Sequence, residues 1–259
     1  MNKENITDDF FNIEMELFQS KAELTEYLIL KHLSHKTEPV GSWVLQTMLA
    51  QHQIKASTAT IGRMLKTLDS RNLTRLIESQ GRVLTEEGQT YIDHLTEELE
   101  RMRYHKQLIS AAQPHDIQEL IDLLKARKAL ECEGAYLAAL RRTPEHIEEL
   151  KNLLKLHEQC VSEQMDPTFH AFDFHRKISE ASQNRFIIAA VDILIFENQK
   201  LEGSFKNLVT RNRGCDYGVH HHAIVEAIVE QDSEEAAKLM SQHMEALIED
   251  IEQQRQTVK

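Results

Sequence analysis

Residues 41–88 read GSWVLQTMLAQHQIKASTATIGRMLKTLDSRNLTRLIESQGRVLTEEG. Over 57–72 the apolar residues Ile61, Leu65 and Leu68 recur at i, i+4 and i+7, the period of a helix that buries one side and leaves the other free. LTRLIES then reads as a strand, Ser79-Gln80-Gly81 as a turn and RVLT as the return strand of a small hairpin. On the N-terminal side, Ser42 is a plausible cap for a helix through WVLQTMLAQH, with Trp43, Leu45 and Leu49 available for a core. Further out, LTEYLILKHLSH gives a helix from Lys21 with Leu24, Leu28 and Leu33 inward, and Glu38-Pro39-Val40-Gly41 breaks it.

Three helices followed by a hairpin is the order of a winged helix-turn-helix. The rest of the chain fits a mainly α protein: 259 residues with only 8 Gly and 4 Pro allow two domains of mostly helix joined by short connections. The domains expected are an N-terminal arm or short helix at 1–19, a winged-helix domain at 20–90, a linking helix at 91–113 and a helical bundle at 114–259. The link is a long charged helix from Glu86 to about Ser110, with Tyr91, Leu95, Leu99 and Met102 along one side, and Pro114 closes it. Beyond it the periodicity predicts an all-α bundle of six to seven helices, at 115–126, 127–142, 144–163, 166–182, 184–208, 217–231 and from Ser233 to about Arg255, with a break at 212–216.

Cys132, Cys160 and Cys215 are odd in number and lack CxxC spacing, which favours neither a disulfide framework nor a zinc ribbon and suits a reducing cytoplasm. No run approaches the length of a membrane span and the acidic start does not read as a signal peptide, so no membrane partner is expected. The net charge of -12 is unevenly spread. Between Ile54 and Arg82 there are six basic residues against Asp69 and Glu78.

That local excess points to double-stranded DNA as a partner. A helix entering a major groove by its N-terminal end needs small polar residues first, for a phosphate, and then longer donors that reach base edges. Ser57, Thr58, Thr60, Arg63 and Lys66 form that series, with Arg63 suited to a bidentate guanine contact and Lys66 and Arg71 to phosphates. On the hairpin Arg75, Gln80 and Arg82 stand where a wing meets the backbone or minor groove.

Most of the 14 histidines, His32, His94, His115 and His157 among them, read as surface residues. His175, His221 and His243 differ, because each lies beside the apolar stripe of a separate amphipathic helix and can point into one cavity. Three neutral imidazoles with an open position suit a divalent metal ion such as zinc, nickel or manganese. His220 and His222 flank His221 on other faces.

Two resemblances bear on these patterns. Residues 41–88, from Gly41-Ser42 to Gly81-Arg82-Val83-Leu84-Thr85-Glu86-Glu87-Gly88, resemble the winged-helix domain of ribonuclease R and of archaeal nitrogen-regulatory repressors. The words Arg127-x-x-Leu130-Glu131, Phe174-His175-x-x-Ile178-x-x-Ala181-Ser182-x-Asn184, His221-x-x-Ile224-x-x-Ala227 and then His243 resemble the ligand-sensing (FCD) domain of the FadR branch of GntR-type transcription factors. That resemblance implies a homodimeric regulator whose bundle encloses a pocket, often with a metal held by one Asp and three His and a small organic acid beside it. Carried over, the metal ligands are His175, His221 and His243. Arg127 and Asn184 become effector-binding candidates; Arg127 is equally well read as the ion-pair partner of Glu131 one turn on. One departure stands out: the aspartate four residues before the first histidine is Ala171 here. Asp173 is about 200° around the helix from His175, and His170 is also poorly aligned. The site is then three-histidine and completed by water or effector, or else the metal is weak or absent. The rival functions are a metal-dependent hydrolase using the three histidines and an RNA-binding adaptor.

Overall fold

The computed structural model describes residues 18–204 and 214–257. The arm expected at 1–19 falls almost wholly outside them, as do residues 205–208 of the expected helix 184–208 and the first half of the expected break at 212–216. The chain divides into two compact units, Met1–Leu108 and Ile109–Lys259.

The first unit has the expected order. Helix α1 (Lys21–Ser34) is capped by Ser20, whose hydroxyl accepts from the Glu23 amide. α2 (Ser42–Gln51) buries Leu45, Met48 and Leu49. Trp43, expected in the core, is 71% exposed, because the inward stripe of α2 runs through 45, 48 and 49 and position 43 lies off it. α3 (Thr58–Ser70) starts at Ser57, whose Oγ accepts from the Thr60 amide at 3.1 Å, and buries Ile61, Leu65 and Leu68. Each of these aliphatic side chains contributes about 1.5–3 kcal/mol by leaving water. β1 (Thr74–Ile77) and β2 (Gly81–Leu84) pair antiparallel, with Arg75 opposite Val83 and Leu76 opposite Arg82.

Two devices hold this hairpin to the helices. Val40, in the segment before α2, exchanges backbone hydrogen bonds of 2.9 and 3.0 Å with Arg82. Gly81 makes the approach feasible: its φ is +138°, and a Cβ there would lie 2.4 Å from the Val40 carbonyl carbon. Asp69, in the last turn of α3, accepts from the Thr74 hydroxyl at 2.6 Å and from Arg82 Nε at 2.9 and 3.1 Å. One carboxylate thus ties the third helix to both strands. α4 (Glu86–Ala111) follows and buries Ile92 and Leu99, with Leu95 partly covered. Tyr91 and Met102, expected on that side, stay exposed because the covered stripe is 92, 95 and 99.

The second unit is a bundle of six helices among the described residues: α5 (Ile117–Arg141), α6 (Pro144–Ser162), α7 (Thr168–Ala181), α8 (Arg185–Ser204), α9 (Gly214–Glu230) and α10 (Ser233–Thr257). The two helices expected at 115–126 and 127–142 are one, since no breaker stands between Ala126 and Arg127. α5 is central, in contact with α7, α8, α9 and α10. Its small residues Ala135, Ala138 and Ala139 are fully buried, which lets neighbouring helices come close. Cys132 is part-buried and Cys160 buried, both as free thiols. Burial pushes the Cys132 thiol up to about 11, so it carries no nucleophilic thiolate at neutral pH.

Candidate functional site

In the first unit, the outer face of α3 is polar and accessible. Ser57, Thr58, Arg63 and Lys66 are exposed and Thr60 is half-buried. Arg63 is two residues from Ile61, about 200° around the helix from the buried stripe. The Ser57 hydroxyl is engaged in the cap and also lies 2.9 Å from Thr60 Oγ1, so its first role is to start the helix. Arg75 is exposed on β1. Arg82 and Arg71, two of the expected DNA cations, are turned to other tasks. The Arg82 side chain is 12% exposed and paired with Asp69, so it positions the wing. Arg71 lies 2.5 Å from Glu26 and over the Tyr91 ring.

In the second unit, α7, α9 and α10 each deliver one imidazole to a common chamber. His175, His221 and His243 are fully buried, and their ligating nitrogens lie within 4.8 Å of one another. His243 Nε2 sits 3.2 Å from His175 Nε2 and 3.3 Å from His221 Nε2. A metal with bonds of about 2.05 Å to tetrahedrally placed imidazole nitrogens separates those nitrogens by about 3.3 Å, which both His243 separations match, so the donor types and these two distances suit a divalent ion of the zinc type. Burial, reinforced by the neighbouring histidines, holds His221 and His243 well below the usual imidazole range. They are therefore neutral at pH 7, as ligands must be. Phe174 stacks on the His221 ring at 4.1 Å and fixes its plane.

Behind His175 lies a buried polar relay. Its Nδ1 is 2.5 Å from Glu131 Oε2, an arrangement that turns Nε2 toward the other two rings. Glu131 also accepts from Arg127 Nε at 2.7 Å. Burial by itself raises the Glu131 carboxyl, but Arg127 and then His175 outweigh it and hold it at about 2. Arg127 is 2% exposed, donates from Nη1 to Asn198 Oδ1 at 3.0 Å, and has no hydrogen-bond partner for Nη2 among the described residues. Arg127 thus makes the expected ion pair with Glu131 and also lines the chamber.

The chamber is lined by Arg127 and the three histidines together with Leu124, His157, Pro167, Thr168, Ala171, Phe172, Tyr217 and Leu247, and its volume is about 50 Å³. A water-sized sphere needs only about 10–15 Å³ of such space, so an ion and a small organic anion can be held, but nothing much larger. Two expectations need correction. Asn184 is not in the lining; its Oδ1 accepts from the Phe186 amide at 3.1 Å and starts α8. His157 is not a surface residue: it is buried, lines the chamber and meets the His221 ring edge-on at 5.4 Å. The missed signal was the stripe of α6, where Leu150, Leu154, His157 and Cys160 recur on one face.

Residues 122–246 match the FCD domain family and residues 27–92 the Ribonuclease R winged-helix domain family. The chain carries an FCD domain and, ahead of it, a winged-helix domain of the Ribonuclease R kind. The Uxu operon regulator of Haemophilus influenzae is 30% identical over 128 residues, 48% of each chain. This chain thus spans about half the length of that relative. Among solved structures, Streptococcus agalactiae GntR is 20% identical, with 88% of this chain and 99% of that one covered and a TM-score of 0.45. E. coli McbR/YncC is 17% identical over 92% and 100% of the two chains, also at 0.45. Within the FCD domain the three histidines and Arg127 converge, and Ala171, which also lines the chamber, stands where the resemblance implied an acidic ligand.

Proposed function

We propose that this chain is a DNA-binding transcription regulator whose operator affinity is set by a small acid bound beside a divalent ion in the FCD chamber. The observation that carries the reading is the chamber itself: three inward imidazoles share it with a buried guanidinium that has a spare donor. Such a constellation serves binding. Among the described residues no carboxylate lines the chamber to act as a general base, and Glu131 is held by Arg127 and His175 behind the His175 ring. His175, His221 and His243 would hold the ion, which supplies an electrophilic centre for an anion. Arg127 would grip the carboxylate.

The DNA contacts in this reading come from Ser57, Thr58, Thr60, Arg63, Lys66 and Arg75, with Arg82 positioning the wing. The protein works as a cytoplasmic homodimer, and two-fold symmetry would match paired half-sites. Support for self-association comes from α8, where Phe186 and Phe196 are 72% and 56% exposed and share a face with Ala189 and Ile193. α4 continues without a break from the winged-helix core to the start of the second unit, which makes it the covalent route for a signal.

The test is enrichment from a random duplex library, followed by gel shifts in the presence of zinc and candidate acids. Arg63→Ala is expected to lose specific binding, a cost of about 1–3 kcal/mol per base contact. His221→Ala is expected to bind the same duplex and lose the response to ligand. Normal binding by Arg63→Ala, or tighter binding to RNA than to duplex DNA in competition, overturns the reading.

A further inference from the structure

The donor set of the chamber brings no negative charge from the described residues. Three imidazoles, which bind an ion only in their neutral form, face inward, and among the described residues no carboxylate lines the walls. Two buried carboxylates stand behind the lining: Glu131, which accepts from Arg127 Nε at 2.7 Å, and Asp250, which accepts from the Tyr217 hydroxyl. A divalent ion on the three histidines would therefore have no anionic ligand in a buried space walled by Leu124, Phe172 and Leu247, and an ion so poorly compensated is costly to bury. An anion alone fares little better. It would meet Nη2 of a guanidinium whose charge Glu131 already balances.

From this we infer that the ion and the acid are obligate co-ligands: neither binds well alone, and a small carboxylate completes the ion's coordination while its second oxygen meets Arg127. The residue that sets this dependence is Ala171. It lines the chamber on α7, four residues before His175 and so on the same helix face, where a carboxylate would supply the missing negative charge from the protein. With a methyl group at 171, that charge has to arrive with the ligand. The chamber volume of about 50 Å³ restricts the ligand to an acid of a few heavy atoms. The inference rests on the metal and acid reading above and adds its regulation: the protein responds to the coincidence of ion and acid, so acid without metal leaves it silent.

The experiment measures zinc affinity of the full chain by competition with a chromophoric chelator, in chloride and in saturating acetate at equal ionic strength. Acetate is expected to tighten zinc binding about 100-fold, within the usual range of coupling between sites, and zinc to tighten acetate binding by the same factor. Ala171→Asp should bind zinc tightly in chloride and show at most a few-fold effect of acetate. Ala171→Asn, with the same shape and no charge, should retain the acetate dependence. Equal zinc affinity in chloride and acetate for the unmodified chain, with zinc binding lost in His221→Ala, overturns the coupling and leaves the metal reading standing. Zinc binding that is unchanged in His221→Ala, or absent in both salts, overturns the metal reading itself. The wild-type comparison decides the coupling even if Ala171→Asp does not fold, and loss of the acetate effect in Ala171→Asn equal to that in Ala171→Asp refutes the charge argument.

Discussion

Replacing Glu131 by glutamine keeps the shape of the side chain and deletes one buried charge, so it isolates what that charge does. Glu131 is fully buried between Arg127 Nε at 2.7 Å and His175 Nδ1 at 2.5 Å. A carboxyl held at about 2 instead of 4.5 corresponds to about 3 kcal/mol of stability at neutral pH, all of it present above 4.5 and lost as pH falls toward 2. The variant also leaves Arg127 charged and buried without its partner, for which about 3–5 kcal/mol is the usual cost. For the unit Ile109–Lys259, about 3 kcal/mol lowers the melting temperature by about 10 °C. Scanning calorimetry of the full chain at pH 7 with chelator present measures this, and the winged-helix transition should stay where it is. Zinc affinity should fall about 10–100-fold as well, because His175 loses the group that orients it. The double change Glu131→Gln with Arg127→Met should recover most of the stability but none of the zinc affinity. A Glu131→Gln protein that melts within about 2 °C of the parent and binds zinc equally well would show that the Arg127–Glu131–His175 relay neither supports the bundle nor orients the site.

The same structure predicts an acid-sensitive bundle and a surface for a second copy. His221 and His243 are held neutral chiefly by burial, and in the unfolded chain they regain the ordinary imidazole range. The unfolded state therefore binds more protons. Stability of the second unit, measured by urea denaturation with chelator, should be full above about pH 7 and decline as pH drops below about 6.5; a flat profile between about pH 8 and pH 5 contradicts burial of the neutral rings. Phe186→Glu combined with Phe196→Glu places charges on the exposed apolar face of α8. Light scattering should show a dimer for the parent chain and a monomer for this variant, and a monomeric parent at micromolar concentration removes the α8 interface from the proposal.

What could be read from the chain in advance follows from how local each determinant is. The winged helix announces itself because its signals are short-range: the Ser57 cap, the stripe Ile61, Leu65 and Leu68, and a hairpin closed at Gly81 all act within a few residues. The three histidines were legible for the same reason, each being tied to the apolar rhythm of its own helix. Trp43 and His157 show how such reading fails. Hydrophobicity alone puts Trp43 inside and polarity alone puts His157 outside, yet register decides both, and it puts 45, 48 and 49 inward on α2 and 150, 154, 157 and 160 inward on α6. Asn184 looked like a ligand residue because it closes the word that holds His175, but an Asn there does local work as a cap.

The relay behind the metal site lies deeper than register can reach. Arg127 meets Asn198 across 71 residues and Glu131 meets His175 across the α5–α7 interface, so no spacing along the chain encodes either contact. The sequence signal that remains is a cost. An arginine followed one turn later by a glutamate, both inside a stretch rich in Leu, Ala and Gly, can be buried only if every strong donor finds an acceptor or awaits one. Nε and Nη1 of Arg127 have acceptors, and Nη2, on a residue that lines the chamber, has none among the described residues. A fold assembled for stability alone does better with apolar side chains at such a position, so the retained charge is itself the argument that an anion belongs beside the histidines.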